Sequence, residues 1–144
     1  MKVKVTSVGR VITARLEPGE KLLESITQIA EEYEIQGGLV NVIGALQPVE
    51  IMFFDMAQQQ YQSLYYDELV ELISASGSVS RIGKKPFIHL HIVVGRADGT
   101  TLGGHCGPGS TISITGEVYI YETQAPVHRV KGQDSAINLL EPDI

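Results

Sequence analysis

Residues 87–105, Phe87-Ile-His-Leu-His-Ile-Val-Val-Gly-Arg-Ala-Asp-Gly-Thr-Thr-Leu-Gly-Gly-His105, read as one β-hairpin and hold three of the chain's four histidines. A strand sends alternate side chains to the same face, so Phe87, His89, His91 and Val93 share one side, and Ile88, Leu90, Ile92 and Val94 the other. The two imidazoles stand about 7 Å apart at their Cα atoms. The turn decides where His105 lies. A three-residue loop, Ala97-Asp98-Gly99, closed by Gly99 in the left-handed region, pairs Arg96 with Thr100 and therefore His91 with His105. Directly opposed residues point to one face, so the three rings converge. A two-residue Asp98-Gly99 turn pairs His91 with Cys106 instead and sends His105 to the far side. The glycine at the end of the loop favours the first register.

Three neutral imidazoles facing one another suit a transition metal, zinc above all, with a fourth position left for water or substrate. The competing reading is a row of polar side chains on a half-solvated sheet face. His-x-His with a third histidine across the strand pair favours the metal, with His89, His91 and His105 as its ligands.

Working outward, Pro18-Gly19 ends a β-region that holds two alternating runs, Lys2 to Val5 and Arg10 to Leu16, near a sheet edge. Leu22, Leu23, Ile26, Ile29, Ala30 and Tyr33 recur at steps of three and four, which predicts one amphipathic helix. Leu39 to Leu46 reads as a buried strand with Gly44 at a close approach. The apolar run Val49 to Phe54 suggests a strand buried on both faces, followed by a hairpin tip at Asp55 to Gln60 and a strand from Tyr61 to Tyr66. Tyr65 and Tyr66 are expected to pack rather than to line a pocket. Asp67 to Ser80 allows helix or strand, but the small residues Ser74 to Ser80 favour a strand approached closely by its neighbour. Thr111 to Tyr121 is a long strand, Val127 to Val130 a short one, and Ser135 to Leu140 a short helix or an extended segment. The sum is α+β: a mostly antiparallel, curved, partly closed sheet of seven or eight strands around one main helix.

The 144 residues fit one domain, 1–144. Eleven basic against seventeen acidic residues give a net charge of −6 and a pI of about 5.1. That balance opposes a surface built to wrap nucleic acid. The basic clusters Arg81, Lys84, Lys85 and His128, Arg129, Lys131 read as solvated surface. A single cysteine suits a reducing compartment, and neither a signal peptide nor a run of about 20 apolar residues is present, so the expectation is a cytoplasmic protein.

Arg15-Leu-Glu-Pro-Gly-Glu20, Gly44-Ala-Leu46, Glu71-Leu-Ile-Ser-Ala-Ser-Gly77, Pro86-Phe-Ile-His-Leu-His91, Asp98-Gly99 and Gly103-Gly-His105 together resemble a prokaryotic PPC (plants and prokaryotes conserved) domain, also called DUF296. The resemblance runs from about Arg10 to Glu122. It implies an α+β fold that assembles as a homotrimer, a metal site at His89, His91 and His105, and the family's usual description as predicted DNA-binding. In plant relatives DNA contact is associated with a basic Arg-Gly-Arg-Pro segment that this chain lacks. The position after the third histidine is usually apolar in the family and here is Cys106, a potential extra ligand or a small buried hydrophobe. Glu117 and Arg15 are the candidate catalytic helpers, the latter for an anionic small-molecule substrate. No nucleophile triad, phosphate loop or paired-carboxylate spacing defines a reaction, so whether the protein is an enzyme stays open.

Overall fold

The computed structural model describes residues 1–133 and 136–142. Its elements run β1 (Val8–Leu16), α1 (Leu22–Glu32), β2 (Gly38–Leu46), β3 (Val49–Asp55), β4 (Gln60–Tyr66), β5 (Val70–Ile82), β6 (Lys85–Gly95), β7 (Thr101–Cys106), β8 (Ile112–Thr123), β9 (His128–Lys131) and β10 (Asn138–Glu141). One sheet holds all the described strands in the order β1-β8-β2-β5-β6-β7-β3-β4, with β9 beside β5 and β10 beside β9. Every ladder is antiparallel except the short contact of β9 with β5. The α+β class, the mostly antiparallel sheet and, among the described residues, the single helix are those expected, and the sheet stays open at its β1 and β4 edges.

The helix forms because its apolar residues fall on one stripe. Leu22, Ile26 and Ala30 are fully buried against the sheet's inner face, with β6 beneath them. Its first turn lacks a side-chain cap; instead the Leu22 amide donates to the Ser110 carbonyl at 3.0 Å, which ties the helix start to the entry of β8. Alternation does the rest: Val40, Val42, Ala75, Val79, Leu90, Ile92, Val118 and Ile120 line the inner face and form the core.

The outer face matters more for function. Residues paired across successive strands share a face, and one unbroken row crosses the whole sheet: Thr13, Tyr119, Asn41, Ser76, His91, His105, Met52 and Ser63. The histidines therefore stand on the outer face, among serines and glycines of β5 and β7 whose small side chains leave them room.

Several details differ from expectation. Lys2 to Val5 forms no strand. Val49 to Phe54 is not buried on both faces: Val49 and Ile51 reach the core and Phe53, on the same face, is 74% exposed, while Glu50, Met52 and Phe54 opposite are only partly buried. The described residues form ten strands rather than seven or eight, and β1 pairs with β8 and β3 with β7 across long stretches of chain. Of the tail, Ser135 lies outside the described residues, and residues 138–141 are the strand β10. Arg81, read as surface, is buried.

Candidate metal centre

The hairpin between β6 and β7 sets the site. The Arg96 amide donates to the Thr100 carbonyl and the Gly99 amide to the Arg96 carbonyl, both at 2.9 Å. Gly99 sits at φ +83°, in the left-handed region that a side chain disfavours. Asp98 Oδ1 accepts from the Thr100 amide at 2.9 Å and from its hydroxyl at 2.6 Å, and these bonds hold the Asp98 carboxyl below its usual range. The loop is thus the three-residue form, and His91 pairs with His105.

The rings converge accordingly. Centroids lie 4.9 Å apart for His89 and His91, 5.1 Å for His89 and His105, and 5.6 Å for His91 and His105. One nitrogen from each ring lies within 4.8 Å of the others. Tetrahedral zinc with bonds of ~2.0–2.1 Å would need nitrogens about 3.4 Å apart, a somewhat tighter cluster than these rings form without an ion.

Burial prepares the donors. The His89 pKa is pushed down to about 4, chiefly by burial, then by the charge of Arg129 and by His105 and His91. His105 is lowered by burial first, then by His91 and Arg129. Both rings are therefore neutral near pH 7 and can offer a lone pair. His105 Nδ1 is buried without a hydrogen-bond partner among the described residues, a deficit that a metal or its bound water would relieve. The donor set fits a transition metal.

The sign of the pH effect follows. Unfolded histidines titrate near ~6.5, so between that value and about 4 the unfolded state takes up a proton that folded His89 refuses. Stability of the metal-free protein should fall as pH drops through this window. Thermal melts from pH 7 to pH 4.5 should show the decline, shallower in His89→Gln; parallel declines would clear His89 of the effect.

Two residues beyond the expected trio flank the three rings without offering a metal donor. Tyr61 on β4 stacks on His105, centroids 4.8 Å apart and planes 27° from parallel; Tyr65 is largely exposed and Tyr66 packs on the core. Arg129 on β9 places Nη2 3.2 Å from His89 Nδ1. Guanidinium groups only donate, so Nδ1 is the acceptor and the other ring nitrogen carries the proton. The sequence offers little warning of either, because β4 and β9 reach the hairpin through non-sequential contacts.

The expected helpers lie elsewhere. Glu117 on β8 pairs with Arg15 on β1, on the histidines' face but about 14 Å and 19 Å away by strand spacing. Arg15 bonds Glu17 at 2.5 Å. Within one chain neither reaches the three rings. Cys106 alternates to the inner face and is 1% exposed, its thiol pushed up to about 11 chiefly by burial; it acts as a core hydrophobe.

A cavity of ≈ 560 Å³ opens beside His91 and His105, walled by Met52, Phe54 and Val93. A second, of ≈ 200 Å³, opens beside His89 and His105, toward Arg129 and Phe87. Tyr61 borders both.

Known proteins share this architecture. A metal-containing protein from Archaeoglobus fulgidus is 30% identical, with a TM-score of 0.88 over 96% of this chain and 98% of that one. A plant- and prokaryote-conserved (PPC) protein from Pyrococcus horikoshii is 28% identical, with a TM-score of 0.89 over 98% and 97%. A candidate DNA-binding protein from Bacteroides thetaiotaomicron, 23% identical with a TM-score of 0.86 over 96% and 98%, shares the fold. The bifunctional protein GlmU of a Synechococcus strain is 31% identical over 134 residues, 92% of this chain and 20% of that protein. The chain thus spans about a fifth of that curated relative's length. The sequence profile of one family matches residues 3–124, and on that match the chain belongs to the Plants and Prokaryotes Conserved (PCC) domain family.

Proposed function

We propose that this protein is a homotrimeric metal-binding PCC domain in which His89, His91 and His105 hold zinc, with one coordination position open to a small molecule. The observation that carries the reading is the convergence of three imidazole nitrogens within 4.8 Å beside two cavities. The metal-containing relative from Archaeoglobus fulgidus supports it. All-nitrogen donors suit zinc better than magnesium or calcium. An open-coordinate zinc polarises a carbonyl or lowers the pKa of bound water; the protein's part is to hold the three rings neutral and to bring a ligand beside them. Elemental analysis of purified protein tests this: about one zinc per chain is expected, and a metal-free protein that also fails to take up added zinc would refute it. A fourth protein ligand, seen by X-ray absorption, would turn the site into a structural staple.

The outer face supports self-assembly. Leu39, Ile43, Ile73, Ile114, Tyr119 and Tyr121 are each between 40% and 59% exposed, an apolar cluster on one sheet face of the kind that marks an interaction surface. Sedimentation should give three times the chain mass of 15.7 kDa. Ile43→Asp with Ile73→Asp should reduce it to the mass of one chain; a parent that sediments as a monomer would end the proposal. Nucleic acid, the partner named for relatives such as the Bacteroides protein, finds no support in a net charge of −6. Among the described residues no helix is long and apolar enough to cross a membrane.

A further inference from the structure

We infer that Arg129 anchors a small carboxylate ligand beside the metal, in the ≈ 200 Å³ cavity bordered by His89, His105, Phe87, Tyr61 and Asn138; this rests on the metal reading above and names the ligand class of that site.

The first ground is a charge with no counter-ion among the described residues. Arg10, Arg15 and Arg96, all more exposed, pair with Glu122, Glu17 and Glu68. Arg129 is partly buried, and among the described residues its acceptors are all neutral. Nε donates to Ser80 Oγ at 2.9 Å, Nη1 to the Asn138 carbonyl at 2.9 Å, and Nη2 to Ser78 Oγ at 3.3 Å and to His89 Nδ1 at 3.2 Å. A cation withdrawn from water without a counter-ion is costly. These contacts orient the guanidinium while leaving its charge for an anion to neutralise.

The second ground is shape. The described residues bordering the cavity include no carboxylate side chain, so an incoming anion meets no like charge. The volume is below the ~300 Å³ at which drug-sized sites begin, which limits the occupant to a small molecule. The Arg129 guanidinium lies over the Phe87 ring, 5.2 Å from its centroid, and Tyr61, stacked on His105, also borders the cavity. A planar carboxylate fits between aromatic walls, meets the planar fork of an arginine and keeps one oxygen for a metal. A tetrahedral phosphate matches that slot less well.

The third ground is competition for one lone pair. A neutral imidazole has a single acceptor nitrogen, and in His89 Arg129 occupies it. A metal that takes that lone pair leaves Nη2 short of an acceptor, and a carboxylate restores one. Metal and anion binding are therefore coupled, and each should tighten the other by the same factor.

The test uses full-length protein loaded with cobalt(II), whose visible spectrum reports its coordination, titrated with acetate and separately with inorganic phosphate. The parent should bind acetate saturably. Arg129→Gln should still take up one cobalt per chain but bind acetate at least tenfold more weakly, with Arg129→Lys, which keeps charge and loses the fork, between them. Acetate should raise the parent's cobalt affinity and leave that of Arg129→Gln nearly unchanged. Equal acetate affinity in parent and both variants, at full cobalt content, would overturn the anchor while leaving the metal reading intact. Phosphate binding more tightly than acetate through Arg129 would overturn the carboxylate assignment. A parent that takes up no cobalt would remove the metal reading itself, and the anchor with it.

Discussion

His91→Ala should lower metal content from about one equivalent to less than a tenth, with little change in thermal stability. His91 is the exposed member of the trio, and its ring supports no part of the core, so its loss isolates ligation from folding. Loss of one among three protein ligands should weaken binding by more than the ~10–100-fold that outer-shell partners cost. His89→Ala and His105→Ala should lose metal to the same degree, but with side effects: the first leaves Arg129 without one acceptor, and the second removes the ring on which Tyr61 stacks. Cys106→Ala, Glu117→Gln and Arg15→Gln should retain the metal, the first because the thiol lies on the inner face and the others because they stand three and four strands away. Elemental analysis of the six variants beside the parent decides the matter. Equal metal in His91→Ala and parent would remove this ligand from the site.

What the sequence made legible, and what it did not, divides by the range of the contact that sets each feature. The hairpin was readable because its register depends on local chemistry: Asp98 and Gly99 specify the loop, and the loop specifies which face His105 takes. The helix was readable from the stripe Leu22, Ile26 and Ala30 for the same reason. Arg129 was not, because its meaning comes from β9 lying beside β5 through a single parallel contact, Arg81 with His128, forty residues downstream of His89. In sequence it is one charge in a basic cluster. Glu117 and Arg15 show the converse case. They share the histidines' face, yet the order β1-β8-β2-β5-β6 separates them from the site, and strand order among non-sequential neighbours is not encoded in any periodicity. Val49 to Phe54 misled for a related reason: as the next-to-last strand of the sheet, β3 leaves Phe53 beyond the core's edge.

Gly77→Ala should cost about 3 kcal/mol, at the upper end of ordinary overpacking, and lower the melting temperature by roughly 10 °C for a chain of this size. Gly77 pairs with Leu90 across β5 and β6. A Cβ at this position would fall 1.9 Å from the His89 carbonyl oxygen and 2.8 Å from the Leu90 Cα. Both obstacles are backbone, so no side-chain rotation relieves the clash; β6 must move away from β5. That displacement starts at His89, and it should therefore loosen metal binding along with the fold. Gly99 supplies the comparison. It lies in the left-handed region at φ +83°, and a Cβ there would meet nothing within 4 Å; asparagine tolerates that conformation. Gly99→Asn should cost less than about 1 kcal/mol and keep the metal. Thermal melts and metal content of the two variants separate the cases. If Gly77→Ala melts with Gly99→Asn and binds metal like the parent, the β5 and β6 backbones are not held as closely as this packing requires, and the placement of His89 does not depend on the glycine behind it.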